Sequence, residues 1–78
     1  MPHIIVKLYA GRSEQQKKTL AQEISRAVMG ALECGEGAVS VAVEDITPED
    51  WKEKVYKPDI LGNPTKIYKK PGYNPFEK

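Results

Sequence analysis

The sequence predicts an α/β protein of the α+β kind, built around one β-α-β unit. Two short runs rich in β-branched residues, at 3–8 and 38–46, flank a long amphipathic segment at 14–33. Short β-branched runs favour strands, and apolar residues that recur every three or four positions favour a helix. Because two strands joined by a helix normally pair in parallel, the sequence predicts a right-handed parallel crossover.

The first strand and the helix carry clear local signals. Residues 3–8 read His-Ile-Ile-Val-Lys-Leu and are apolar on both faces, which is typical of a covered strand. Ser13 and Gln16 have the spacing of a capping box at the start of a helix. Gly35 and Gly37 are expected to end that helix. Its apolar stripe consists of Leu20, Ile24, Ala27, Val28, Ala31 and Leu32.

The second strand is predicted from valines that alternate with small or polar residues within 38–46. Thr47 and Pro48 then resemble a cap followed by proline at the first helical position. A short helix at 49–56 is expected to end before Pro58, because the residue before a proline disfavours helical backbone.

We predict one domain over residues 1–78, with a core at 2–56 and a C-terminal arm at 57–78. The arm is polar and rich in turn-forming residues, with one candidate strand at 65–69. We expect the arm either to pack on a neighbouring molecule or to form a partly ordered tail.

The charge balance gives no general attraction to nucleic acid or to an anionic membrane. The net charge is +1, from 12 basic and 11 acidic residues. A basic and aromatic stretch near the end is interpreted as a solvated tail, with nucleic-acid binding as the alternative; it contains Lys66, Tyr68, Lys69, Lys70 and Tyr73. No apolar run approaches the roughly 20 residues that span a bilayer. The start of the chain lacks the pattern of a signal peptide.

The small size predicts a homo-oligomer. A domain of this length buries only about 60% of its unfolded surface, so its core is marginal. Cys34 is the single cysteine and His3 the single histidine, so neither an internal disulfide nor a metal site is expected. Partner subunits are then the favoured source of stability. A lone thiol also favours the cytoplasm.

Pro2 is the first candidate catalytic residue. Removal of Met1 would expose a secondary amine on a rigid ring at the start of a strand. An apolar pocket, or a cation such as Arg12, lowers the pKa of such an amine. A base whose pKa lies near the working pH is efficient at moving protons. On its own, a Met-Pro start has an ordinary non-functional interpretation.

Arg12 and Trp51 are candidate substrate-binding residues. Arg12 precedes the helix N-terminus, where a guanidinium fork and backbone amides both favour a carboxylate; the alternative is a solvated turn arginine. Trp51 is either a pocket wall, an interface residue or part of the core. A structural or interface role is expected for His3, and a plain position near the helix end for Cys34.

The same residues resemble the 4-oxalocrotonate tautomerase family. The matching segments are Met-Pro-His-Ile at the start, residues 11–17 at the opening of the helix and the second strand from Val39 to Ile46. The resemblance covers roughly residues 2–52. The start and the Lys-Lys-Pro-Gly-Tyr segment at 69–73 are most similar to a bacterial subgroup of tautomerases with a longer C-terminus.

The resemblance implies β-α-β protomers whose sheet is extended by dimerisation, with dimers favoured here and hexamers as the alternative. It implies Pro2 as general base, Arg12 as carboxylate-binding residue and Trp51 as an aromatic wall, with no cofactor. Better-known members carry a second arginine in strand two, where this chain has Ser40. The implied substrate is therefore an enol or keto acid with one carboxylate, such as an enolised arylpyruvate.

Two other functions stay open at this point. One is a family dehalogenase or hydratase, in which the proline acts as an acid and further groups activate water; the loss of an arginine at Ser40 disfavours it. The other is a non-catalytic oligomeric binding protein on the same scaffold. If Met1 stays in place in the natural protein, Pro2 has no free amine and the proposed catalysis is blocked.

Overall fold

The structure is a computed structural model that describes residues 1–76. It divides into two compact units, residues 1–45 and the residues from 46 onward. The elements, in chain order, are β1 (His3–Tyr9), α1 (Glu14–Leu32), a 3-10 turn (Glu36–Ala38), β2 (Ser40–Ile46), α2 (Pro48–Trp51), a π-helical segment (Lys52–Leu61) and a second 3-10 turn (Pro64–Lys66).

The first unit is the predicted β-α-β arrangement. β1 and β2 form a two-stranded sheet, and α1 connects them along the chain. The Ser40 amide donates to the Pro2 carbonyl at 3.1 Å, so the two strands begin side by side. Strands that start together and continue through a helical connection run in parallel, which confirms the predicted fold class.

Helix α1 begins as predicted. The Gln16 amide donates to Ser13 Oγ at 3.1 Å, and the Ser13 amide donates to Gln16 Oε1 at 2.9 Å. Lys17, in the first turn, pairs with Asp45 at 2.8 Å and Glu14 at 2.9 Å. The hydrogen bond to Asp45, followed by the one to Glu14, raises the pKa of Lys17. These contacts connect the start of α1 to β2.

The end of α1 differs from the prediction. The left-handed residue is Glu33, with φ of 54°, rather than Gly35 or Gly37. The Cys34 amide donates back to the Met29 carbonyl at 3.3 Å. The glycines instead border or enter a 3-10 turn, and for that reason β2 begins at Ser40 and not at residue 38.

The helix of the second unit does not stop before Pro58, so that prediction was wrong. α2 passes into a π-helical segment that contains Pro58. Proline in an α-helix removes one hydrogen bond, and its ring clashes with the carbonyl four residues earlier. In a π-helix the hydrogen bonds span five residues instead of four, so a different carbonyl faces the proline ring. The Gly62 amide ends the segment by donating to the Lys57 carbonyl at 2.9 Å. A Cβ on Gly62 would lie 2.5 Å from the Pro58 carbonyl oxygen, so only glycine fits there.

The candidate strand at 65–69 was also wrong. Within residues 1–76 the only sheet is the β1-β2 pair, and residues Pro64–Lys66 form a 3-10 turn. Pro64 fixes a φ that suits the first position of such a turn, and it has no amide to donate to a partner strand.

Two residues are buried in the described chain, Val55 and Tyr56, and both belong to the second unit. The Tyr56 hydroxyl donates to the Tyr73 carbonyl at 3.0 Å, and the two rings lie 5.4 Å apart. The Phe76 ring meets Tyr56 edge-on at 5.9 Å. Residues of the C-terminal arm therefore fold back on the helical segment of their own chain. No helix within residues 1–76 has the length and apolar character to cross a membrane.

Candidate active site

Pro2 lies immediately before β1 and is half-buried. Its carbonyl accepts the Ser40 amide, so the first residue of β2 fixes the start of β1. Met1 is fully exposed in front of it. While Met1 is attached, the Pro2 nitrogen is part of an amide and has no basic lone pair; after its removal the same nitrogen becomes a secondary amine.

Arg12 lies at the other end of β1. It follows Gly11, whose φ of 120° makes the tight turn from the strand into α1. Arg12 is exposed and lines a shallow cavity of about 210 Å³ together with Leu8 and Gln16. The position next to the first amides of α1 suits a carboxylate, as the sequence predicts.

The structure separates Pro2 from Arg12 within one chain. β1 has seven residues, and at about 3.3 Å per residue it spans roughly 20 Å. Because that distance exceeds the reach of an arginine side chain, the two residues of one protomer do not meet at a single substrate. The choice of Pro2 and Arg12 as candidate residues did not reveal this separation, although the length of the predicted first strand implies it.

Trp51 is the last residue of α2 and is half-buried in the second unit. Its indole Nε1 donates to the Tyr73 hydroxyl at 2.9 Å. Tyr73 in turn offers its carbonyl to the Tyr56 hydroxyl and stacks at a tilt on the Tyr56 ring. The orientation of the indole is therefore fixed by the C-terminal arm, a contact that sequence reasoning did not anticipate.

His3 and Ser40 form a contact that sequence reasoning also missed. His3 Nδ1 and Ser40 Oγ lie 2.6 Å apart, and both residues are exposed. The alternation of side chains along each strand places both on the sheet face away from α1, because Leu8 and Val41 line cavities on the α1 side. The predicted parallel pairing of strands that begin at residue 3 and near residue 38 was the signal that could have found it.

A further cavity, in the second unit, is lined by residues other than the predicted catalytic base Pro2. The second unit holds an apolar cavity of about 340 Å³, and it is lined by Tyr56, Ile60, Leu61, Pro64, Ile67, Lys70 and Pro71. Among residues 1–76 no group of three or more His, Cys, Asp or Glu side chains is arranged to hold a metal ion.

Comparison with known proteins places this geometry in a family. The sequence model of the family described as "Tautomerase enzyme" matches residues 2–53. The protein named "Probable tautomerase" of Xylella fastidiosa (strain 9a5c) is 47% identical over 73 residues, which cover 94% of this chain and 89% of the relative. "Tautomerase PptA" of Cronobacter sakazakii (strain ATCC BAA-894) is 36% identical over 74 residues, covering 94% of this chain and 97% of the relative.

The fold is shared with solved structures of the same family. TomN, a 4-oxalocrotonate tautomerase homologue of the tomaymycin biosynthetic pathway, is 38% identical with a TM-score of 0.62, covering 64% of this chain and 77% of TomN. Apo unFused 4-OT is 33% identical with a TM-score of 0.61, covering 63% of this chain and 80% of that protein.

The β-α-β fold with these matches defines an enzyme of the isomerase class that interconverts tautomers. The chain belongs to the tautomerase family, as a 4-oxalocrotonate tautomerase-like member of the bacterial subgroup with a longer C-terminus. The alignments with the Xylella and Cronobacter proteins cover 94% of the chain and so include most of the C-terminal arm.

Proposed function

We propose that this enzyme interconverts enol and keto acids without a cofactor, with Pro2 as the general base after Met1 has been removed. The observation that carries the proposal is the position of Pro2: half-buried, at the start of β1, with its carbonyl fixed by the Ser40 amide. A base that is held in place needs no reorganisation when it takes the proton. Met1 is fully exposed and accessible to an aminopeptidase.

The proposed chemistry is one proton removed and one returned. The Pro2 nitrogen takes the proton of the enol hydroxyl, and the resulting prolinium delivers a proton to carbon. Negative charge develops on the substrate oxygen between the two transfers. Arg12 binds the substrate carboxylate and stabilises that charge through the guanidinium and the neighbouring helix start.

The separation of Pro2 and Arg12 along β1 leads us to propose that each active site is shared between two copies of the chain. Pro2 comes from one protomer and Arg12 from its partner. The sheet face away from α1 has an apolar character that suits such an association: Ile5 is 55% exposed and Tyr9 is 49% exposed. With only Val55 and Tyr56 buried among residues 1–76, the chain gains stability from a partner. The longer C-terminal arm favours a dimer, with a hexamer as the alternative.

The proposed substrate has one carboxylate and an aromatic group, as in an enolised arylpyruvate. Arg12 supplies one guanidinium for one carboxylate. Ser40 occupies the position at which better-known family members have a second arginine, so no second guanidinium is proposed there for a second carboxylate. Trp51 remains the proposed aromatic wall on the basis of the family resemblance, and within the second unit its indole is oriented by Tyr73. We also retain the cytoplasm as the proposed location, on the basis of the single thiol of Cys34.

Mass spectrometry and one substitution test this proposal. The protein purified from its own cells should have lost Met1, and it should convert phenylenolpyruvate to phenylpyruvate. Pro2→Ala, which replaces the rigid secondary amine with a flexible primary amine, should lower kcat/KM by about 10²-fold, the lower end of the usual contribution of a general base. A protein that keeps Met1 in its own cells, or a Pro2→Ala variant as active as wild type, would contradict the proposal.

A further inference from the structure

The hydrogen bond between His3 and Ser40 places a polar group beside the proposed base. His3 follows Pro2 directly. The Ser40 amide donates to the Pro2 carbonyl, and the Ser40 hydroxyl lies 2.6 Å from His3 Nδ1. The hydrogen bond from the Ser40 amide to the Pro2 carbonyl therefore joins the residue that carries the hydroxyl to the residue that carries the proposed base. Both hydrogen bonds lie within one chain.

The contact between imidazole and hydroxyl determines which way the serine proton points. When Nδ1 carries a hydrogen and donates to Ser40 Oγ, the serine proton is free to donate to a third group. Both residues are exposed, so that third group can be a bound ligand. Ile5 and Ala42, the next residues on the same sheet face, offer no competing side-chain acceptor.

In the proposed mechanism Arg12 of the partner binds the carboxylate and stabilises the developing charge from there, but no group donates a hydrogen bond directly to the α-oxygen. We propose that the Ser40 hydroxyl, oriented by His3, donates a hydrogen bond to the α-oxygen of the substrate beside Pro2. Ser40 is then a catalytic residue and His3 a positioning residue. The inference rests on the proposed function, because the α-oxygen belongs to the substrate proposed there; the His3–Ser40 and Ser40–Pro2 hydrogen bonds are observed.

The hydrogen bond from Ser40 to the α-oxygen involves no proton transfer and leaves the proposed reaction unchanged. The enol hydroxyl proton goes to the Pro2 nitrogen, the prolinium returns a proton to carbon, and the serine keeps its own proton throughout. Its role is to stabilise the negative charge on the α-oxygen as the enol loses its proton. A single preorganised donor of this kind contributes up to about a hundred- to a thousandfold to rate.

Four variants of the Met1-free protein test the inference by turnover. Ser40→Ala should lower kcat at least about tenfold with a smaller change in KM. His3→Asn places an amide donor near the position of Nδ1 and should stay within about threefold of wild type, whereas His3→Gln places it near Nε2 and should fall toward Ser40→Ala. The double variant His3→Gln with Ser40→Ala should be no slower than Ser40→Ala alone, because His3 acts through the hydroxyl.

A binding measurement keeps this inference separate from the proposed function. Isothermal titration should show that wild type prefers phenylpyruvate over 3-phenylpropionate, which lacks the α-oxygen, and that Ser40→Ala loses most of that preference. If the preference is lost in Ser40→Ala while wild type itself shows no turnover, the Ser40 contact stands and the proposed function fails. If turnover depends on Pro2 while Ser40→Ala changes neither kcat nor the preference, this inference is overturned and the proposed function stands. Equal rates for His3→Asn and His3→Gln would overturn the positioning role of His3.

Discussion

The two units of the chain differ in how they are held together. Residues 1–45 contain the long helix and most of the sheet but no buried side chain, whereas the residues from 46 onward contain the two buried residues Val55 and Tyr56. The first unit is ordered by local devices, including the capping box at Ser13 and the ion pairs of Lys17. The second unit is ordered by contacts between residues distant in sequence, such as Tyr56 with Tyr73.

The difference indicates where each unit obtains its stability. A β-α-β unit without a buried core leaves an apolar sheet face exposed, and we propose that a second copy of the chain covers it. The second unit has its own small aromatic cluster and depends less on a partner. Trp51, the single tryptophan, reports on the second unit by fluorescence, while far-ultraviolet circular dichroism is dominated by α1, so the two units can be followed separately.

The largest stability effect is expected from Tyr56→Ala. Removal of this ring deletes the contacts with Tyr73 and Phe76 and leaves a cavity, which costs about 3–5 kcal/mol for a large aromatic side chain. The Trp51 fluorescence transition in urea should move to lower concentration by the corresponding amount. Tyr56→Phe, which keeps the ring and removes only the hydroxyl, should cost about 1 kcal/mol. Equal effects of the two substitutions would contradict the aromatic cluster.

A smaller effect is expected from Ser13→Ala in the first unit. The substitution removes the hydroxyl that accepts the Gln16 amide, and loss of such a cap costs about 1 kcal/mol. The transition followed by circular dichroism at 222 nm (a wavelength chosen for helix) should shift accordingly. Ser13→Asp, which keeps a capping oxygen, should restore most of the loss. A Ser13→Ala variant with the stability of wild type would show that the capping box does not limit α1.

The smallest effect concerns Lys17 and appears only at alkaline pH. The hydrogen bonds to Asp45 and Glu14 raise the pKa of Lys17 above its ordinary value of 10.5, so the folded state favours the charged form. The stabilisation is complete below the ordinary pKa and is lost as the pH rises through the raised one. Urea midpoints measured from about pH 9.5 to about pH 11.5 should fall more for wild type than for Lys17→Met. Parallel curves for the two proteins would exclude this contribution.

The sequence-based prediction was more accurate for the elements of the first unit than for those of the second. β1, α1 and β2 were predicted to within two residues because hydrophobic periodicity and the capping box are local signals. The cap residue of α1, Glu33, was missed because glycine is the residue that generally takes the left-handed backbone at a helix end. The passage of the helical segment through Pro58 was missed because the local rule for proline assumes α-helical hydrogen bonding.

The candidate site was only partly accessible from sequence for a similar reason. Pro2 and Arg12 are identifiable as residue types with the right chemistry, and the family match includes both. Their separation by the length of β1, the pairing of His3 with Ser40 and the fixing of Trp51 by Tyr73 are tertiary relationships. No local pattern encodes a contact across 37 or 22 residues.

The central claim, that Pro2 of one copy works with Arg12 of another, is tested most directly by mixing two inactive variants. Pro2→Ala and Arg12→Ala are each purified without Met1, unfolded, mixed in equal amounts and refolded together. If sites are shared between two copies, random pairing leaves about one site in four intact, so activity should return to about a quarter of wild type. Each variant refolded alone should remain inactive. A mixture that is no more active than the separate variants would contradict the account.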